Sequence, residues 1–198
     1  MPRYPTSAEF RELLRTTDDI EEVLYKHILE GLPYAFHDSE SDYTKLRRHV
    51  STVLEVPMRD LTIVGSGRIG FSLDPNQFGR PFSDTSDLDM VVVSAPVFDS
   101  AWMELLRPKY HDYDLTDQER EWLKEHRRYI YWGNIRPARL PVATQIGRKW
   151  LEAFRGLSKY PEFARQEVNG WLFRSWWHVH LYYSRSLKEL AAQLKIRE

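Results

Sequence analysis

The pattern of apolar and polar residues predicts three helices at the start of the chain. Apolar residues recur at helical spacing in each segment, as Val50, Val53 and Leu54 do in the third. A serine, threonine or aspartate that can cap a helix stands at each start, and Pro33 and Pro57 follow the second and third. The predicted helices span about 6–15, 18–29 and 39–54.

Two short apolar runs between residues 61 and 93 predict a pair of strands. Residues 61–64 and 90–93 have the length of strands and flank a stretch rich in glycine, proline and polar residues. The first run stops at Gly65-Ser66-Gly67, and Asp87-Leu88-Asp89 leads into the second. Because side chains alternate faces along a strand, we expect both aspartates to share one face while the leucine between them points into the core.

The remainder of the chain alternates helices with one more strand. Helical spacing predicts helices over about 98–106, 116–129, 141–154 and 175–194, and a strand is predicted over 167–173. The aromatic segment 131–137 is interpreted as a loop whose rings pack in the core or stack on a base. The order of elements predicts a mixed α/β (α+β) fold, in which a sheet is flanked by helices and further helices lie at both ends.

The length of the chain, 198 residues, is accounted for by one domain. Residues 1–56 would form N-terminal helices, and residues 57–110 the core that carries the motifs. Residues 111–198 would add a helical and strand elaboration. We therefore interpret residues 1–198 as a single domain.

Charge and composition exclude several classes of protein. Lysine plus arginine number 28 against 29 for aspartate plus glutamate, so no global basic field favours general nucleic-acid binding. The absence of cysteine excludes disulfides, thiolate zinc sites and cysteine nucleophiles. The chain has neither a membrane-length apolar run nor a signal-peptide core, so we expect a cytoplasmic protein without a membrane partner. Ten of the 27 aromatic residues lie in the last third, where they would form core or a docking surface for a protein partner.

The paired aspartates and the glycine turn together indicate chemistry on phosphates. At about 4 Å and an effective dielectric near 20, two carboxylates repel by about 4 kcal/mol, so we expect a cation between them. Mg²⁺ prefers such oxygen ligands and completes its shell with water and substrate phosphate. Gly65 and Gly67 can adopt positive φ and bring backbone N–H groups close to an anion, while Ser66 adds a hydroxyl donor. An anion cradle beside a metal-binding pair is typical of phosphoryl or nucleotidyl transfer.

Two arginines flank this predicted phosphate site. Either Arg68 or Arg80 would neutralise phosphate charge through a bidentate contact. The alternative is that both are ordinary surface arginines.

The same residues resemble the motif of the nucleotidyltransferase superfamily of the polymerase beta type. The resemblance rests on Val64-Gly65-Ser66 and on Asp87-Leu88-Asp89-Met90, with residues 71–84 as an inserted loop. It implies that Asp87 and Asp89 hold two Mg²⁺ ions, with Mn²⁺ as an alternative. It also implies that Gly65, Ser66, Gly67 and Arg68 bind the phosphates of a nucleoside triphosphate, such as ATP. The nucleoside monophosphate would pass to a hydroxyl acceptor on a protein, an RNA or a small molecule, and small stand-alone members of this kind work in toxin and phage-defence modules.

Active members of that superfamily usually supply a third carboxylate from a later strand, which completes the metal set and can act as a base. Residues 168–173 contain no acid, so Glu167 is the candidate, with Asp112 and Asp114 as more distant ones. Two alternatives to the enzyme therefore stay open. One is a nucleotide-binding or regulatory module of the same fold without turnover, and the other is a structural α/β domain whose Gly-Ser-Gly is only a turn.

Overall fold

A computed structural model describes residues 4–106, 116–139, 144–163 and 166–196. The candidate acids Asp112 and Asp114, and the start of the helix predicted at 141–154, lie outside the described residues. Within these ranges, helices pack on both faces of a four-stranded mixed sheet. The α+β fold class predicted from the sequence is therefore confirmed.

Helices make up most of the described chain. The α-helices are α1 Ser7–Thr16, α2 Ile20–Val23, α3 Glu40–Leu54, α4 Ser66–Ile69, α5 Ala95–Leu105, α6 Asp117–Tyr131, α7 Gln145–Arg155 and α8 Trp176–Ile196. The strands are β1 Leu61–Val64, β2 Leu88–Val93, β3 Asn134–Ile135 and β4 Val168–Phe173. None of the helices in the described part of the chain has both the length and the apolar composition that a membrane span requires.

Side-chain caps fix the starts of the N-terminal helices. The Thr6 hydroxyl accepts a hydrogen bond from the Glu9 amide, and the Glu9 carboxylate accepts one from the Thr6 amide, which completes a capping box. Asp19 likewise accepts hydrogen bonds from two amides in the first turn of α2. Both starts therefore agree with the caps predicted from the sequence.

The sheet has the strand order β1-β2-β4-β3. Strand β2 runs antiparallel to β1 and parallel to β4, while β3 runs antiparallel to β4. A parallel pair needs a long crossover, and here the chain from α5 through α7 provides it. The register places Asp89 of β2 between Val64 of β1 and Asn169 of β4.

The alternation of side chains along β2 divides the interior into two layers. Leu88, Met90 and Val92 pack with residues of α3, α5 and α7 on one face of the sheet. Val91 and Val93 pack with residues of α1 and α8 on the other face. Asp89 stands at an odd position of the same strand and therefore belongs to the α1/α8 face. The predicted burial of Leu88, with Asp89 on the opposite face, is therefore confirmed. Asp87 precedes the strand, so its predicted face stays a prediction.

Two elements differ from the sequence prediction. The second predicted helix begins as α2 but continues as a π-helix, Leu24–Leu29. The spacing of apolar residues in a π-helix is so close to that of an α-helix that the sequence does not distinguish the two. The predicted aromatic loop at 131–137 begins with the end of α6 and then contains β3. A strand of two residues is too short to show the alternation by which strands are recognised.

Candidate functional site

The two aspartates lie at the N-terminal end of β2, and Asp89 belongs to the α1/α8 face of the sheet. Asp87 is exposed and directly precedes the strand, whereas Asp89 lies inside it and is partly buried. Their charges interact, since Asp87 is one of the groups that shift the pKa of Asp89. The structure therefore brings together the pair on which the sequence prediction depends.

The turn after β1 lies directly against Asp89. Gly65 adopts φ 64° and ψ −147°, a conformation that is strained for every residue except glycine. A Cβ built on Gly65 would lie 3.2 Å from the Asp89 carboxylate oxygen Oδ2. Glycine thus allows both the turn and the close approach of backbone to carboxylate. Ser66, half-buried, follows as the first residue of α4.

Gly67 has a different role from the one predicted. It does not have a positive φ but is part of α4, so it does not contribute to the turn conformation. A Cβ on Gly67 would lie only 2.8 Å from Cδ2 of Leu88, which is buried beneath it. The requirement for glycine here comes from close packing of α4 on β2.

Arg68 faces away from the predicted phosphate site. Its side chain is 4% exposed, and its guanidinium donates from Nη1 to the Gly31 carbonyl at 2.7 Å and from Nε to the His27 carbonyl at 3.3 Å. Burial lowers the pKa of Arg68 from its ordinary value, and the nearby hydroxyls of Tyr43 and Tyr4 and the carboxylate of Glu30 oppose that change. Arg68 therefore stabilises the end of the π-helix, a structural role in place of the predicted contact with phosphate.

Burial makes Asp89 an unusually weak acid for an aspartate. Removal from water, together with the negative charge of Asp87, raises the pKa of Asp89 to about 6, and the positive charge of Arg136 opposes this. In a cation-free protein, the ionised Asp89 carboxylate is therefore under electrostatic strain near neutral pH. A bound cation would relieve that strain.

The raised pKa predicts how stability changes with pH. Asp89 binds a proton near pH 6 when folded and near pH 4 when unfolded, so its contribution is fully present below pH 4 and is lost as the pH rises through 6. Asparagine cannot ionise. In EDTA, Asp89→Asn should therefore be about 2 kcal/mol more stable than the wild type at pH 8 and nearly equal to it at pH 4, as measured by urea unfolding. A gain in stability that is the same at both pH values would contradict this assignment.

Arg136 is a site residue that the sequence analysis missed. It follows β3, and its guanidinium lies over the ring of Trp171 at 3.8 Å and over the ring of Tyr129 at 5.1 Å. Its Nε is buried and has no hydrogen-bond partner among the described residues. The aromatic rings thus hold a cation on the β4 side of Asp89. Only the pairing of β3 with β4 brings Arg136 there, and no local motif signals it.

The position beside Asp89 on β4 is occupied by Asn169, a neutral residue. Glu167 precedes β4 and is exposed, and its backbone carbonyl accepts a hydrogen bond from the Leu88 amide. Among the described residues, no group of three or more histidine, aspartate or glutamate side chains is placed to hold a metal ion. The predicted role of Glu167 as the third carboxylate therefore stays a prediction.

The donors at this site fit one Mg²⁺ better than two. Asp87 and Asp89 supply two adjacent hard oxygen ligands, and burial together with the charge of Asp87 raises the pKa of Asp89. Mg²⁺ commonly takes one or two carboxylates and leaves its other positions to water and substrate phosphate.

No protein-family model matches the chain, no curated protein is significantly similar to it, and no solved structure matches it.

Proposed function

We propose that this protein is a metal-dependent nucleotidyltransferase of the cytoplasm. It would transfer the nucleoside monophosphate of a nucleoside triphosphate to a hydroxyl acceptor and release pyrophosphate. The proposal rests above all on the close approach of the Gly65 turn to the Asp89 carboxylate, with Asp87 directly before the same strand. That approach puts a site for an anion next to two ligands for a cation.

The reaction needs the protein mainly to position charges. The acceptor oxygen attacks the α-phosphorus, a new P–O bond forms, and the bond to the bridging oxygen breaks in line with it, so that pyrophosphate leaves. Mg²⁺, when bound, withdraws charge from the phosphate oxygens. Asp87 and Asp89 would hold the ion, and the backbone at Gly65 and Ser66 would face the phosphates.

Two further residues have assigned tasks in this proposal. Arg136, the cation on the β4 side of Asp89, would neutralise charge on the transferred phosphate. The acceptor hydroxyl must lose a proton, and the Glu167 carboxylate at the start of β4 is the base that we assign to it. A partner protein at the aromatic C-terminal third stays a prediction.

A regulatory module of the same fold is the second candidate function. The observation that favours it is Asn169, which lies beside Asp89 on β4. Its neutral amide adds no negative charge for a metal ion and cannot accept a proton as a base. Such a module would bind a nucleoside triphosphate and Mg²⁺ without turnover. Calorimetry with ATP and Mg²⁺, followed by an assay for pyrophosphate with candidate acceptors, separates the two functions. Release of pyrophosphate supports the enzyme, and binding alone supports the module.

Asn169→Asp tests whether β4 can contribute to the metal site. The register puts residue 169 next to Asp89 on the same face, so a carboxylate there should strengthen Mg²⁺ binding in the presence of ATP about tenfold. Gln77→Glu, which adds the same charge in an exposed loop, is the matched control and should leave the affinity unchanged. Unchanged affinity in Asn169→Asp would show that β4 does not reach the ion.

A further inference from the structure

A small cavity lies on the α1/α8 face near the far edge of the sheet, between α6, β3 and α8. Its volume is about 260 Å³. Aromatic and basic side chains form most of its lining, among them Tyr129, Trp132, His178, Tyr182, Arg128 and Arg185. This volume lies just below the range of about 300 to 1,000 Å³ typical of drug-sized ligands, so the cavity suits a ligand no larger than a single nucleoside.

Asn134 gives this cavity an unsatisfied polar wall. The residue is 1% exposed and lines the cavity, yet neither its amide nitrogen nor its amide oxygen has a hydrogen-bond partner among the described residues. A buried polar group without a partner destabilises a fold, and here both a donor and an acceptor are left unpaired. A ligand that supplies a matching acceptor and donor side by side would remove this cost.

The other walls favour a flat ring with a negative charge nearby. Trp132 is 44% exposed, and the Arg185 guanidinium lies 5.8 Å from the centre of its ring. Arg185 also donates from Nε, at 2.7 Å, to the carboxylate of Glu189, which lines the same cavity. Aromatic side chains stack on nucleobases irrespective of sequence, and arginine pairs with phosphate. Adenine and cytosine each present an N–H donor beside a ring-nitrogen acceptor, the pair that an asparagine amide matches, and adenine has the larger ring system for stacking.

The cavity and the turn at Gly65 lie on opposite sides of β2. The turn adjoins β1, on one side of β2, whereas β4 and β3 lie on the other side. The ring centre of Tyr182, in the cavity, lies 5.8 Å from the ring centre of Trp171 on β4. The Trp171 ring also contacts the Arg136 guanidinium, which lies over it. Along β4, Asn134 lies beside Phe173 at the C-terminal end, whereas Asp89 lies beside Asn169 at the N-terminal end.

We propose that the cavity binds the nucleobase of the hydroxyl acceptor, with a preference for adenine. This rests on the proposed function, and it identifies the acceptor as a nucleotide, not a protein side chain. The nucleotide is either free or the 3′-terminal residue of an RNA, and both sources present the same base and phosphate. Asn134 reads the edge of the base, Trp132 and Tyr182 flank its ring, and Arg128 and Arg185 lie near its phosphate.

Binding of nucleotides without divalent cations tests this proposal. AMP, GMP, CMP and UMP, and a short RNA ending in adenosine, are titrated in EDTA while tryptophan fluorescence and heat are recorded. We expect AMP to bind best among the mononucleotides. Asn134→Asp, which keeps the shape but replaces the donor with an acceptor, should weaken AMP binding at least tenfold. Asn134→Leu should do the same, and Asn76→Asp, in a remote exposed loop, should bind as the wild type does.

The outcomes distinguish this proposal from the proposed function. Tighter binding of the RNA than of AMP identifies an RNA end as the acceptor, and the reverse identifies a free nucleotide. Failure of all nucleotides to bind, or AMP binding that is unchanged in Asn134→Asp, overturns the proposal. Competition between AMP and a non-hydrolysable ATP analogue also overturns it, because the cavity would then hold the base of the donor. Asp89→Asn affects the transferase reaction but not AMP binding in EDTA, so each proposal can fail without the other.

Discussion

Asp89→Asn is expected to lower Mg²⁺-dependent release of pyrophosphate about a thousandfold or more. The substitution keeps the size of the side chain but removes the charge that holds the cation next to the Gly65 turn. The ion supplies several kcal/mol of stabilisation to the charge that develops during phosphate transfer, and each 1.4 kcal/mol corresponds to about a tenfold change in rate. The measurement is the initial rate of pyrophosphate release from ATP with the acceptor present.

Two further variants show whether the loss is specific. Asp84→Asn removes an exposed acid just before the motif and should leave the rate within about twofold of the wild type. Glu167→Gln should lower the rate only if the exposed Glu167 acts as the base. An Asp89→Asn enzyme that retains full activity would contradict the metal site, particularly if Asp84→Asn were the variant that lost it.

Arg68→Met is expected to destabilise the fold by about 3 kcal/mol without weakening binding of nucleoside triphosphate to the folded protein. The Arg68 guanidinium donates to the carbonyls of Gly31 and His27 in partly buried hydrogen bonds, and its removal leaves both acceptors without this donor. Urea unfolding gives the loss of stability. Calorimetry with ATP and Mg²⁺, under conditions where the variant is folded, gives the affinity.

Arg80→Met is the matched control for this experiment. In the sequence, Arg68 and Arg80 both flank the predicted phosphate site, but Arg80 is exposed. Its substitution should change the free energy of unfolding by less than about 0.5 kcal/mol. If Arg68→Met instead kept full stability and lost affinity for ATP, Arg68 would belong to the phosphate site after all.

The sequence predicted the centre of the fold well because the signals there are local. Strand β1 was predicted with the bounds that the structure has, since four apolar residues end abruptly at a glycine. The alternation of Leu88 and Asp89 predicted the faces of β2, because successive side chains of a strand point to opposite faces. The capping residues Thr6 and Asp19 likewise fixed their helices.

The rest of the candidate site depends on which strands become neighbours, and the sequence does not state this. Asn169 lies beside Asp89 only because β4 pairs with β2 in parallel. Arg136 and Asn134 reach the same face only because β3, a strand of two residues, pairs with β4. An arginine at position 68 suits a phosphate, as the sequence predicted. In the fold, however, carbonyls at the end of the π-helix accept its hydrogen bonds, and the sequence alone does not show that they lie beside it.

The most direct test of the account is a crystal structure of the protein with Mg²⁺ and a non-hydrolysable triphosphate. The account predicts a cation about 2.1 Å from carboxylate oxygens of both Asp87 and Asp89, with a phosphate of the nucleotide against the backbone of Gly65 and Ser66. A cation and triphosphate bound elsewhere, with the two aspartates in contact with neither, would contradict it.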